Sequence, residues 1–465
     1  MSRALLHGVA SGLALALSLA GCTTMIPDYE RPAAPVASTY PDAAAQAQSG
    51  AAASDIEWQN YFSDARLKRL IEVALNNNRD LRVAVLNIEQ ARAQYQVRRA
   101  DELPTVGLGA TGSRQPTSSG GISSAYTAGL TVTAYELDFF GRVRSLSAAA
   151  LAQYLGTEEA RKNVQIALIS SVATSYLNLL ADDALLAVTR QTLLGREDSL
   201  KLTKLKFDVG AASELDYRQA ESLLEGARVS LAQLTRQRAV DENALVLLLG
   251  QSLPADLPPA SSISSQTLIN ELPVGLPSEV LVRRPDVRQA EQQLIAANAN
   301  IGAARAAFFP RITLTGSAGT ASSQLSGLFK SGSSAWSFMP QLLLPIFDAG
   351  RNQANLDAAR VGRDIAVAQY EKAIQAAFRE VADALAGRAT LGEQLRAQQA
   401  QTNAEAQRFK LADLRYRNGV ASYLDVLDAQ RALFAAQQAL VQAEAQQVQN
   451  QVSLYKVLGG GWTTP

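Results

Sequence analysis

Few residues of this 465-residue chain have the type and spacing to do chemistry. It holds one histidine and one cysteine, His7 and Cys22, both within the first 22 residues. The rest of the chain therefore has no His-dependent triad, no His-ligated metal and no cysteine zinc site, and no disulfide can close within it. A phosphate loop with its lysine and a spaced set of metal ligands are missing as well, so no cofactor is expected and the chain does not read as an enzyme. Two kinds of chemistry remain. Cys22 is a thiol at the end of an apolar run, open to acylation. Near the far end stand Tyr416, Gly419, Leu424, Asp425, Asp428 and Arg431, with the two carboxylates three residues apart and hence on one helix face. Acids gathered around an axis favour cations. Acids at a helix start instead complement its dipole, which leaves both readings open for Asp425 and for Asp216.

The elements that position these groups begin with a leader. Arg3 precedes an apolar run from Val9 to Ala20, the length of a signal peptide core and too short to cross a bilayer comfortably. Leu19-Ala20-Gly21-Cys22 resembles a bacterial lipobox, in which cleavage precedes a cysteine that is then acylated. Thr23 follows, and the resemblance to bacterial lipoproteins implies that, with no Asp there, the chain is sorted to the outer membrane. From Thr23 to Ala53 the chain is rich in Pro, Ala, Ser and Gln and reads as an extended tether. Basic and acidic residues balance at 43 each, which excludes a strongly basic nucleic-acid binder or a polybasic membrane-surface protein.

The chain is written twice. Leu103-Pro104 returns as Phe309-Pro310 at an offset of 206; Gly141-Arg142 returns as Gly350-Arg351 at 209. Gly210, Ser213, Leu215 and Asp216 return as Gly419, Ser422, Leu424 and Asp425, and Leu249-Gly250 as Leu458-Gly459, again at 209. Each copy predicts a first helix (Leu75 to Arg98; Asp286 to Ala307), a β-hairpin (104–139; 310–347) and two long antiparallel helices (142–207 and 214–249; 351–416 and 423–458). The hairpins show in alternation: Ala128, Leu130, Val132 and Ala134 against Thr127, Gly129, Thr131 and Thr133, with a polar loop from Gly112 to Ser124. In the second copy the apolar series is Trp336, Phe338, Leu342, Leu344 and Ile346. The long helices contain no proline, and 66 residues span about 100 Å. Leu179, Leu186, Leu193, Leu200 and Phe207 form a seven-residue seam. Gly210 and Gly419 end the first long helices, and Ser213 and Ser422 cap the return helices. The divisions are thus a signal peptide (1–21), a lipidated tether with an equatorial segment (22–64), a first repeat (65–250), a proline-rich linker (251–277), a second repeat (278–459) and a tail (460–465).

Four strands of about ten residues suit a tilted membrane crossing but cannot close a barrel, and lipid does not tolerate open edges. Three copies would supply twelve strands. Several stretches carry a resemblance. They are Tyr135-Glu136-Leu137-Asp138-Phe139-Phe140-Gly141-Arg142-Val143-Arg144, Gly275-Leu276-Pro277-Ser278-Glu279 with Arg283-Arg284-Pro285-Asp286-Val287, Ile301 to Pro310, and Leu344 to Arg351. Together they resemble the TolC-like outer-membrane efflux proteins, in the OprM-like lipoprotein branch serving resistance-nodulation-division pumps. The fold this implies is mainly α with a transmembrane β portion: a homotrimer with a 12-stranded barrel, a helical periplasmic tunnel and an equatorial belt. The implied function is passive export of small molecules such as drugs, with protein secretion or metal-ion efflux as alternatives. The implied partners are a periplasmic adaptor, an inner-membrane transporter and outer-membrane lipid, with no nucleic acid. The resemblance makes Asp216 the gate partner of Tyr416, places Leu424, Asp425, Asp428 and Arg431 at the periplasmic constriction, and gives the turns at Gly210, Ser213, Gly419 and Ser422 to the adaptor. Val420 and Ala421 stand where some relatives carry a basic gate residue, so that contact is not carried over. Arg283-Arg284-Pro285-Asp286 reads as a helix-start brace and Asp138 with Arg142 as an ion pair. Glu158-Glu159 and Asp182-Asp183 read as solvated faces.

Overall fold

The computed structural model describes residues 24–41, 53–266, 272 and 277–462. Cys22 and the leader lie outside the described residues. The helices are α1 (Trp58–Tyr61), α2 (Ala65–Asn77) and α3 (Arg79–Ala100), then β1 (Val106–Pro116) and β2 (Ile122–Leu137). The long pair α4 (Arg142–Asp208) and α5 (Glu214–Leu249) follows. The second copy gives α6 (Pro277–Arg283), α7 (Pro285–Ala306), β3 (Arg311–Ser322), β4 (Ser334–Leu343), α8 (Arg351–Arg417) and α9 (Tyr423–Val457). The chain forms two compact units, and each draws on both copies. One comprises the described parts of Met1–Ala34, Leu86–Glu159 and Arg288–Ala373; the other those of Pro35–Val85, Ala160–Val287 and Ile374–Pro465.

In the first unit the four strands make one antiparallel sheet in the order β1-β2-β3-β4, so the two hairpins join through β2 and β3. The register sorts the side chains into two faces. Leu108 pairs with Leu130, Ala318 with Trp336, Gly316 with Phe338 and Ile312 with Leu342 on one face. The other face carries Thr111, Thr127, Thr131, Ser317, Ser337 and Gln341, with hydroxyl contacts between Thr111 and Thr127 (2.6 Å) and between Ser317 and Ser337 (2.7 Å). Leu108, Trp336, Phe338 and Leu342 are all exposed. Gly129 and Gly319 face each other so closely that a Cβ on Gly129 would lie 2.4 Å from the Ala318 carbonyl oxygen, which requires glycine there.

Two expectations for the sheet need correction. The first loop is shorter than Gly112 to Ser124, because the ladder continues to Pro116 and Ile122. The alternation through Ala134 also fails. A bulge between Val132 and Tyr135 sets Ala134 at φ 51°, its N–H on Thr315 Oγ1 (3.2 Å), and hands the apolar side to Tyr135 and Leu137, which pair with Leu314 and Ile312. β4 stops at Leu343, leaving Ile346 and Phe347 fully outside the ladder and exposed. Below the strands Arg142 pairs with Glu136 (2.6 Å), which also holds Arg311 (2.7 Å), while Asp138 binds Arg144 (3.5 Å). The expected Asp138–Arg142 pair is therefore replaced: Asp138 precedes the helix, so the four-residue spacing does not bring the two together. The segment from Met25 to Arg31 lies along α7, with Arg31 bidentate on Glu291 and the Met25 and Pro27 carbonyls accepting from Arg305 and Asn298.

The second unit is packed around Tyr61, Phe62, Leu67, Ile71, Val172, Tyr176, Leu245 and Leu249, with Tyr61 stacked on Tyr455 at 4.0 Å. The predicted continuous helix from Leu75 to Arg98 is broken at Asn78, whose Oδ1 accepts from the Leu81 N–H and whose Nδ2 donates to the Leu248 carbonyl, both at 2.9 Å. Arg284 stands at the matching break. It is 7% exposed and holds Asp286 (2.6 Å), Glu380 (2.7 Å) and the Val457 carbonyl (2.9 Å), a brace as expected. Burial lowers its affinity for a proton, but the two carboxylates overcome this and keep the pKa raised. The leucine seam of α4 weakens along its length: Leu179 and Leu186 are buried, Leu193 and Leu200 half-buried and Phe207 exposed. Three residues on from each of the first four stands a buried polar group: Asp182, Thr189, Arg196 and Thr203. Asp182 is thus not on a solvated face. In the first unit Glu159 is buried too, paired with Arg288 at 3.3 Å.

Candidate functional site

The site that the sequence singles out is the pair of turns between the long helices, both in the second unit. Their backbones are the same. Gly210 and Gly419 each take φ 74°, the left-handed region open to glycine. The Gly210 N–H donates to the Phe207 carbonyl (2.9 Å) and the Ala211 N–H to that of Lys206 (2.7 Å). Gly419 and Val420 repeat this on Tyr416 and Arg415, both at 3.0 Å. This pair of hydrogen bonds closes each helix end.

The return helices start alike as well. The Ser213 hydroxyl accepts from the Asp216 N–H (3.1 Å) and Asp216 Oδ2 accepts from the Ser213 N–H (3.2 Å), a reciprocal capping box. Ser422 and Asp425 form the same box, with Asp425 Oδ2 on the Ser422 N–H at 3.1 Å. Ser213 and Ser422 are therefore caps as expected, and Asp216 and Asp425 complete them. Within the chain Asp216 does not meet Tyr416.

Tyr416 has a different companion. Lys206 Nζ donates to its hydroxyl at 3.0 Å and sits 4.2 Å from the ring centroid, so one cation grips both the oxygen and the π face. The Tyr416 ring lies 5.2 Å from that of Tyr423, which is buried with Val426, Leu427 and Ala220. Burial pushes the Tyr423 phenol pKa up. Lys206 and Tyr416 thus connect the ends of α4 and α8, the two helices that enter the turns. Asp428 is taken by Arg408 on the facing arm, which also holds Glu405 at 3.2 Å; these carboxylates raise the Arg408 pKa. Leu424 is exposed, at 56%, as are Val420, Leu215 and Val209.

Arg431 is exposed, and its charge faces the buried Arg196. Arg196 donates to the Leu223 carbonyl (2.7 Å) and lies 5.2 Å from the Phe434 ring. Its pKa is lowered first by burial and then by Arg431.

Lys206, Arg408, Tyr423 and Arg196 join the site without a local motif to mark them. Arg408 and Asp428 stand almost equally far from Gly419 on opposite arms, a signal legible once the turn is placed. No such symmetry points to Lys206, because its partner belongs to the other copy. Among the described residues no group of three or more acids, histidines or cysteines could hold a metal ion.

The family model for outer membrane efflux proteins matches residues 70–251 and 276–460. The solvent efflux pump outer membrane protein SrpC of Pseudomonas putida is 51% identical over 458 residues, covering 96% of this chain and 97% of that protein. The outer membrane protein OprJ of Pseudomonas aeruginosa is 49% identical over 461 residues, covering 97% and 95%. Among solved structures, the open state of the MtrE outer membrane channel of Neisseria gonorrhoeae superposes with a TM-score of 0.87 at 43% identity, covering 95% of this chain and 99% of that one.

Proposed function

The chain belongs to the outer membrane efflux protein family, and from that premise we propose that it is the outer-membrane duct of a tripartite efflux system, passively exporting small molecules such as solvents and drugs. The observation that carries this reading is the sheet. One face is apolar and exposed, the other is lined with hydroxyls, and among the described residues the outer edges of β1 and β4 have no partner strand. In lipid such edges must be closed by further copies, and three copies give a twelve-stranded barrel with the apolar face outward and the hydroxyl face toward the lumen.

The same premise supports the finer assignments. Cys22 carries the acyl anchor, and Met25 to Arg31, strapped to α7, hold the chain that follows it. The turns at Gly210–Ser213 and Gly419–Ser422 meet the periplasmic adaptor, which links the duct to an inner-membrane transporter. Closure is held at the tip by Lys206 on Tyr416. Leu424 is the apolar obstruction, Asp216 and Asp425 keep the turns in shape, and Asp428 and Arg431 set the charge beside the passage. Energy for export comes from the transporter.

The test is complementation. A strain lacking the outer-membrane component of a solvent efflux system should regain solvent tolerance when this chain is supplied with the system's adaptor and transporter. The detergent-extracted protein should have the mass of three copies. A labelled acyl chain should appear on the wild type and not on Cys22→Ser. A stable monomer in bilayers, with no gain in tolerance, contradicts the duct.

A further inference from the structure

Three members of the buried polar row on α4 carry a sealed side-chain atom with no hydrogen-bond partner, Thr189 Oγ1, Arg196 Nε and Asp182 Oδ2, and of these only Asp182 is a carboxylate. Asp182 is 6% exposed, and its Oδ2 is sealed from solvent with no donor in reach. The carboxylate of Asp241 on α5 is brought beside it, because Arg238, one helical turn before Asp241, bonds Asp183, the neighbour of Asp182, at 2.6 Å. Two ionised carboxylates offer only acceptors, so neither can satisfy the other; one proton between them turns one oxygen into a donor and removes one of the charges.

The neighbouring charges do not offer another solution. On α4, Asp183 adds a further negative charge. On α5, Arg238 is the opposing cation, but it is already held by Asp183 (2.6 Å) and Glu242 (2.7 Å). Gln237 donates to Asp241 Oδ2 at 3.1 Å, which meets one oxygen of that carboxylate and leaves Asp182 as before. On the side of α9 the contact one turn earlier is neutral, with Gln449 donating to Asn178 at 2.6 Å.

We propose that Asp182 and Asp241 share a single proton, and that this proton fastens α4 to α5 as a pH-sensitive clasp. The clasp lies about 40 Å along α4 from its end at Asp208, so it fixes the register of two arms whose far ends carry the tip turn. The electrostatics agree with the geometry: burial first, and then the bond and charge of Asp241, push the Asp182 pKa up to about 7. The sign follows from linkage. A carboxyl whose folded pKa lies above its unfolded value of about 3.9 contributes fully below that value, and its contribution is lost as pH rises through the folded value. The arms are therefore joined in acid and loosen from neutrality upward. The proposal stands whether or not the tip acts as a gate.

Infrared difference spectroscopy on the full chain, titrated from about pH 5 to about pH 9, reads the proton directly. The wild type should show a protonated carboxyl band that titrates away near neutral pH. The band should be missing in both Asp182→Asn and Asp241→Asn, because the new amide donates to the remaining carboxylate and no proton is needed. Hydrogen exchange, corrected for intrinsic rates, gives the mechanical counterpart: amides around 182 and 241 should lose protection above neutrality in the wild type and keep it in Asp182→Asn. Persistence of the band in both variants, or an unchanged pH profile of protection in Asp182→Asn, overturns the proposal. A wild-type midpoint that moves with added calcium or with chelator also overturns it, since a bridging cation would then occupy the place given to the proton.

Discussion

Asn78 and Arg284 occupy matching places in the two copies and solve one problem in two ways. Each interrupts the chain between a short helix and a 22-residue helix, and each donates to a carbonyl at the end of its own copy's second long helix, Leu248 or Val457, at 2.9 Å. Asn78 does so with a neutral amide that also caps the next helix. Arg284 does so with a buried cation that must be neutralised, and Asp286 and Glu380 supply the charge. At the opposite ends of the long helices the reverse holds. The two turns share backbone, glycine and capping box, and near them the copies diverge along the arms, where α4 buries Asp182 and Arg196 while the positions 209 residues later are Leu391 and Glu405. Duplication kept what the backbone demands, and the side chains around it were free to specialise.

The comparison can be broken by substitution. The largest effect should come from Arg284→Met, which leaves Asp286 and Glu380 without their cation and the Val457 carbonyl without its donor. Because both acids are partly exposed, the loss should be about 3 kcal/mol, the low end for breaking a buried pair. Asn78→Ala removes one bond and one cap and should lose about 1–2 kcal/mol. Denaturant unfolding followed by helical circular dichroism in micelles measures both, and equal losses would mean that the charges around Arg284 add nothing to the shared hydrogen bond. Ser213→Ala and Ser422→Ala should each lose about 1 kcal/mol, and by the same amount. Unequal losses would show that the turns are alike in form only. The smallest effect belongs to Arg408→Gln, whose ion pairs lie in water; the unfolding curve should be unchanged within error.

Much of this architecture was legible because the breaks are chemically marked. Glycine and serine delimit the long helices, so the predicted ends agree with the observed ones to within a residue, and the common offset of 209 exposes the duplication. What escaped has physical reasons. The break at Asn78 lies in a run of good helix formers, and it exists because a buried side chain reaches Leu248, which only the tertiary fold supplies. The bulge at Ala134 shifts a strand by one residue without any proline or glycine to announce it. Asp182 looked solvated because acids usually are, although its place three residues after Leu179 puts it on the seam. At the tip the turn residues were readable from type and order. The companion of Tyr416 was not, since Lys206 comes from the other copy and no local spacing encodes that meeting.

Conductance of the purified full chain in planar bilayers tests the central claim most directly, that the protein is a passive duct held closed at its tip. The wild type should give discrete channel openings of low conductance. Lys206→Met, which removes both the bond to the Tyr416 hydroxyl and the cation over its ring, should raise the open probability or the step size, and Tyr416→Phe should do so to a lesser degree. Tyr217→Phe, whose ring stacks on Phe207 within one hairpin, should match the wild type. A protein that inserts into the bilayer yet conducts nothing in any of these forms would contradict the account.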